Sequence, residues 1–159
     1  MHVFNGRQTL PSVRSRFLYF AEYMAAVSAI LAMSANNKVF LLAPPYAVSA
    51  YLVLFERNTK FSKPSGLAVS YGFAIASSEA LHALLGPSIA SMTINVFAVS
   101  AFIMLTEYSH PPAIALTIFS YLRFSDVLFV TSSLAALGII ILIYAIDSAL
   151  IRAGKLSRV

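Results

Sequence analysis

The chain contains no cysteine and no tryptophan. Without thiols there is no disulfide framework, no thiolate nucleophile and no thiolate metal site, and the redox compartment leaves no mark on the sequence. Charge is the second scarcity. Asp, Glu, Lys and Arg make up 11% of the 159 residues, whereas apolar residues make up 59%. A soluble domain of this size carries about 25% charged residues to solvate its surface. Most of this surface therefore faces something other than water, and a mean hydropathy of +0.81 makes lipid that something. Acidic residues are the scarcer sign, 6 against 11 basic ones, for a net charge of +5. The basic residues are spread over chain ends and short loops with no aromatic-interleaved patch, which points to anionic lipid headgroups as partner and not to nucleic acid. No cofactor is expected.

A spanning helix needs roughly 20 mainly apolar residues at about 1.5 Å each. Four segments qualify: 17–35, 67–85, 88–105 and 127–146. Between them lie two shorter apolar runs, 39–55 and 111–122, each carrying a Pro-Pro pair, Pro44-Pro45 and Pro111-Pro112. Each pair removes two backbone donors and pushes the preceding residue out of the α region, so a helix begins there and does not pass through. Both runs read as half-helices preceded by extended chain. With tryptophan missing, an interfacial belt falls to Tyr19, Tyr23, Tyr108, Tyr121 and Tyr144, all near predicted helix ends. A cleaved signal peptide competes for the first span, since Arg14 and Arg16 precede it and Ala32-Met33-Ser34 resembles a cleavage site; its apolar stretch exceeds the usual core of about 7–15 residues.

Orientation follows from Lys and Arg in the short loops. Arg7, Arg14 and Arg16 precede the first span, Arg57, Lys60 and Lys63 follow the first half-helix, and Arg152, Lys155 and Arg158 close the chain. If both Pro-Pro segments cross, all three clusters share one side, read as cytoplasmic, with Lys38 and Arg123 opposite. If neither crosses, the 57–63 cluster lands outside. The expected fold is thus an all-α membrane protein with about six crossings and both termini cytoplasmic, multi-pass and in the cell membrane. A cytoplasmic N-terminus (1–16) and C-terminus (152–159) flank two membrane repeats, 17–86 and 87–151. Each repeat is helix, broken half-helix, helix, and they join at the uncharged turn Gly86-Pro87. Three crossings per unit make the second inverted relative to the first, an arrangement common in transporters. Small residues at four-residue spacing, Ala21, Ala25 and Ala29, then Ala68, Gly72, Ala76 and Ala80, predict close helix packing within the chain.

The free N–H groups of a helix start carry about half a positive charge. Two half-helices starting within the bilayer supply two such ends. The amides of Tyr46, Ala47 and Val48, and of Ala113, Ile114 and Ala115, are expected to cradle a small inorganic anion without a buried cation. His110, directly before Pro111, would cap its half-helix, gate the path or take up a proton. Ser49 and Thr117, one turn into the half-helices, offer hydroxyls, which can also bond back to their own helices. Glu79 and His82, three apart on one helical face, form a possible proton relay or an interfacial pair. Glu22 and Asn95 read as ties between helices. No catalytic constellation, phosphate loop or metal-ligand set is recognisable, so no enzyme is expected.

At His110-Pro111-Pro112-Ala113 the sequence resembles the HPP family of small integral membrane proteins. The resemblance extends over the Pro-Pro-x-Ala-x-Ser-Ala-x-x-x-Leu-Phe pattern from Pro44 to Phe55, the pair Lys63-Pro64 and the run Leu-His-Ala-Leu-Leu-Gly ending at Gly86. Ala47-Val48 and Ile114-Ala115 stand where the family usually has Gly-Ala, and Lys63 where Gln is common. Members in chloroplasts and cyanobacteria are associated with nitrite transport, so the resemblance implies a transporter or channel for a small monovalent anion, nitrite first. The site would then comprise Pro44, Pro45, Tyr46, Ala47, Ser49, His110, Pro111, Pro112, Ala113 and Thr117. The alternative is a non-transporting membrane scaffold or assembly subunit. A homo-oligomer is expected, because a chain this small needs neighbours to shield its broken helices.

Overall fold

A computed structural model describes residues 17–18, 20–25, 27–29, 44–56, 59–122 and 126–153. All regular structure among them is helical. The helical residues between 17 and 29 form α1, followed by α2 (Pro44–Phe55), a single 3-10 turn (Lys60–Ser62), α3 (Pro64–Leu85), α4 (Ile89–Leu105), α5 (Pro112–Leu122) and α6 (Asp126–Arg152). Both half-helices begin at their Pro-Pro pairs, as the missing N–H groups require. At about 18 Å and 16 Å, from 1.5 Å per residue, neither can cross a hydrocarbon core of roughly 30 Å alone. Before α5 the chain is non-helical from Thr106 to His110, with Thr106 itself extended at φ −116° and ψ 164°.

The junction between the expected repeats is a tight turn. Gly86 adopts φ +69°, a region an L side chain rarely enters, while its N–H bonds to the His82 carbonyl and ends α3. Ser88 then starts α4, accepting a hydrogen bond from the Ser91 amide at 3.2 Å.

Among the described residues, Val127–Arg152 alone has both the length and the apolar composition to cross a membrane. α4 falls just short in length at 17 residues. α3 has 22 residues but is diluted by Ser65, Ser70, Ser77, Ser78, Glu79 and His82. Residues 30–35 of the first predicted span, 39–43 before α2, and the basic residues Arg7, Arg14, Arg16, Lys38, Arg57, Arg123, Lys155 and Arg158 lie outside the described residues.

Helix directions follow from a few ties. The 3-10 turn folds back on the end of α2, with the Ser62 hydroxyl donating to the Leu52 and Glu56 carbonyls. α3 starts there and, by Tyr71, has run back to Pro45 and Ser49 at the beginning of α2. α2 and α3 are therefore antiparallel. The segment before α5 lies across the first turns of α3: the Ser70 hydroxyl donates to the Tyr108 carbonyl, and a Cβ on Gly66 would stand 3.6 Å from the Ser109 carbonyl oxygen. By Tyr121, α5 has reached His82 near the end of α3. α5 thus runs with α3 and against α2.

Large apolar side chains cover much of the surface, and polar side chains share the interior with an apolar core. Phe97 (76% exposed), Met104 (83%), Leu105 (85%) and Ile89 (80%) point outward, while Ser49, Ser70, Ser78, Asn95, His110, Thr117, Ser120 and Ser133 are at most 1% exposed. Water would not tolerate such an exterior, and lipid would. Inside, hydroxyls and amides pair between helices: Asn95 Nδ2 donates to Ser78 Oγ at 3.0 Å, and Ser91 Oγ meets the Tyr121 hydroxyl at 3.0 Å.

The small-residue stripes turn out to face outward. Ala21, Ala25 and Ala29 on α1 and Gly72, Ala76 and Ala80 on α3 are exposed and Ala68 is half-buried, and a Cβ on Gly72 would meet nothing within 4 Å. The packing face of α3 is instead Gly66, Ser70, Ala74, Ser78 and His82, all buried. Serine is nearly as small as alanine, and its hydroxyl adds a bond to the neighbouring helix, so the polar stripe wins the interior.

Candidate functional site

The two Pro-Pro pairs meet. Pro44, Pro45, Val48 and Leu52 of α2 and Pro111, Pro112 and Ala115 at the start of α5 line one cleft of about 390 Å³, with Phe61 closing it. The four-residue steps Pro44, Val48, Leu52 and Pro111, Ala115 show that one face of each half-helix contributes. The walls are apolar.

Behind this cleft lies a buried chain of hydrogen bonds. His110 Nδ1 stands 2.7 Å from the Phe61 carbonyl oxygen, and its Nε2 stands 2.8 Å from Ser49 Oγ. Ser49 Oγ is also 2.6 Å from the Tyr71 hydroxyl, which is 3.2 Å from the Pro45 carbonyl oxygen. The Tyr71 ring meets the His110 ring edge-on at 5.6 Å. Ser49, Tyr71 and His110 are all fully buried.

Donor counting orients this chain. A carbonyl only accepts, so the neutral imidazole carries its proton on Nδ1 and donates to Phe61. Nε2 must then accept, which makes Ser49 the donor to it and leaves Ser49 Oγ to accept from Tyr71. Every group is satisfied. The sequence Ser49, His110, Phe61 carbonyl repeats the nucleophile, base and orienting acceptor of acyl-transfer sites. Here Ser49 Oγ is spent inward on His110 and Tyr71 and presents no nucleophile to the cleft.

Several predicted site residues separate from this group. The Thr117 hydroxyl bonds back to the Ala113 carbonyl of its own helix at 3.0 Å and is not on the cleft wall. The amides of Ala113 and Ile114 are taken by the His110 and Pro111 carbonyls at 3.1 and 3.0 Å, closing the first turn of α5. That end is thus not an open cradle of amides. Tyr46 turns away, its hydroxyl 2.9 Å from Ser133 Oγ on α6, and so ties α2 to the last helix. Ala47, half-buried on α2, is absent from the cleft wall. Glu79 and His82 lie far along α3, roughly 16 Å from Tyr71 at 1.5 Å per residue for His82. There His82 packs edge-on against Tyr121 at 4.2 Å. They belong to a different end of the bundle.

Tyr71, the Phe61 carbonyl and Ser133 were not among the expected site residues. Tyr71 did carry a signal: a tyrosine inside an apolar span must find a partner for its hydroxyl. The carbonyl carried none, because any residue supplies one.

A family model described as HPP, transmembrane region, matches residues 8–153. The chain belongs to the HPP family. It is a membrane protein, and the His-Pro-Pro tripeptide sits where this HPP chain joins the site: His110 holds the network and Pro111-Pro112 forms the cleft wall. No curated protein and no solved structure matches it.

Proposed function

We propose that this chain moves a small monovalent anion, nitrite first, across the membrane past its two Pro-Pro ends. The observation that carries the reading is the convergence of both Pro-Pro pairs, from antiparallel half-helices, on one cleft backed by the Ser49 to His110 hydrogen bond. Irregular backbone at membrane depth is tolerated where it lines a cavity or is packed in protein, and broken helices meeting at one place are the usual setting of transport sites. The apolar walls favour an anion that gives up water easily, which suits nitrite better than a strongly hydrated ion. His110, bonded to Ser49 behind the cleft, is in this reading the gate that a passing anion would meet.

The antiparallel course of α2 and α5 supports two inverted repeats, 17–86 and 87–151, with about six crossings, two of them broken, both termini cytoplasmic and the cell membrane as location. The outward small-residue faces of α1 and α3 support a homo-oligomer that shields the short helices.

The complete burial of Ser49, His110 and Thr117 favours a second reading, a non-transporting scaffold or assembly subunit whose half-helices are simply packed. Nitrite uptake into proteoliposomes, with His110→Ala as control, decides between them. Saturable uptake that weakens in the variant is expected. Absence of uptake of nitrite, nitrate, formate and chloride by folded protein would remove the transport reading and leave the scaffold.

A further inference from the structure

The heavy atoms around His110 support two complete hydrogen-bond arrangements, and the second one fits the imidazolium. In the first, described above, Tyr71 donates to Ser49 and Ser49 donates to Nε2. In the second, both bonds of the Ser49 hydroxyl reverse. Nε2–H donates to Ser49 Oγ at 2.8 Å, the Ser49 hydroxyl donates to Tyr71 Oη at 2.6 Å, and the Tyr71 hydroxyl donates to the Pro45 carbonyl at 3.2 Å. Nδ1–H donates to Phe61 in both. No donor or acceptor of this hydrogen-bond chain is stranded in either state, as burial requires.

We propose that His110 is a proton-binding site loaded through the Tyr71 and Ser49 hydroxyls, and that its positive charge is the counter-charge for an anion in the Pro-Pro cleft. The proton count closes. One proton reaches Tyr71 Oη from water or from the acid form of the anion, the Tyr71 proton passes to Ser49 Oγ, and the Ser49 proton passes to His110 Nε2. Both hydroxyls end neutral, the imidazole gains one charge, and the chain is left in its reversed arrangement. The Pro45 carbonyl is free of Tyr71 in one state and held by it in the other, so the charge of His110 at one Pro-Pro motif is read at the other.

The surrounding charges leave room for a mobile anion. On the elements packed here, Glu56 ends α2 exposed, Lys60 and Lys63 flank Phe61 exposed, with Lys60 Nζ 5.2 Å from the Phe61 ring, and Glu107 is exposed three residues before His110. On α3, Tyr71 belongs to the chain itself, and Glu79 and His82 lie two and three turns further on; Tyr46 on α2 meets the Tyr71 ring at 6.3 Å. α4 and α5 carry no charged residue; among the described side chains of α6, Asp147 is buried and Arg152 exposed. The contacts described at the His110 ring are a hydroxyl, a carbonyl and an aromatic edge, which supply dipoles and no negative charge.

The anion half of this inference rests on the transport reading; the proton half stands on the hydrogen bonds. Histidine-selective 15N NMR of the whole protein in lipid nanodiscs tests both, since the chain has three histidines and His110→Gln identifies the resonance. His110 is expected as the Nδ1–H tautomer at high pH and as a doubly protonated ring at lower pH in the folded protein. Ser49→Ala should lower the midpoint by about one pH unit, because the bond lost is stronger to the charged ring. Tyr121→Phe, on α5 beside His82, should leave it in place, and saturating nitrite should raise it. An Nε2–H tautomer, a ring that stays neutral wherever the protein is folded, or a Ser49→Ala midpoint equal to that of the natural protein would overturn the proton site. A midpoint indifferent to nitrite would overturn the counter-charge. Absent uptake with an intact His110 titration would remove transport and leave the proton site standing.

Discussion

Replacing Ser49 with alanine removes the one atom that touches both His110 Nε2, at 2.8 Å, and the Tyr71 hydroxyl, at 2.6 Å. The two partners fare differently. Tyr71 keeps an acceptor in the Pro45 carbonyl at 3.2 Å. His110 does not, because Phe61 holds Nδ1 and fixes Nε2 as an acceptor, now buried without a donor. A hydrogen bond between helices in a membrane is worth about 0.6 kcal/mol on average and up to about 1.7. A stranded buried acceptor costs about 1–3 kcal/mol. The stranded acceptor dominates, so a loss of about 2 kcal/mol is expected for Ser49→Ala. Thr117→Val is the matched comparison. Its hydroxyl serves the Ala113 carbonyl, which keeps its helical partner, and the shape is conserved, so roughly 0.5 kcal/mol or less is expected. Reversible unfolding in mixed micelles with increasing SDS, followed by circular dichroism, measures both. Equal effects of the two substitutions, or a larger effect of Thr117→Val, would refute the assignment of Ser49 as the hub.

Gly66 lies against the Ser109 backbone with space for a methyl group and no more, since an added Cβ would stand 3.6 Å from the Ser109 oxygen and 3.8 Å from the Lys60 oxygen. Gly66→Ala should therefore fold and gain up to about 1 kcal/mol of helix stability, whereas Gly66→Leu should lose about 1–3 kcal/mol and displace the His110 segment. The same SDS titration reads both, and a stable Gly66→Leu protein would contradict the packing. The natural absence of cysteine allows single labels: spin labels at Phe97→Cys and Leu142→Cys should be open to oxygen and closed to an aqueous nickel chelate, and one at Lys60→Cys the reverse. A water-accessible label at Phe97 would count against a lipid-facing α4.

The amino-acid sequence by itself determined the class, the helix starts and the turn. Scarce charge and abundant apolar residues leave a surface for lipid, Pro44-Pro45 and Pro111-Pro112 cannot lie inside a helix, and Gly86-Pro87 must turn. These are local or compositional constraints, which is why they can be read without contacts. The tertiary structure decided which polar side chains meet. Ser49 and His110, apart in sequence, become bonded because α3 runs back along α2 and carries the segment before α5 to it. Thr117 occupies a place in α5 comparable to that of Ser49 in α2, yet its hydroxyl turns to its own helix, and Tyr46 turns to Ser133. Small-residue spacing alone marked Gly72, Ala76 and Ala80 as the packing face of α3, while the interior took the stripe with serines. Periodicity names the faces of a helix, but which face is inside depends on what the neighbouring helices offer it, and in lipid a hydroxyl with a partner outranks a methyl group without one.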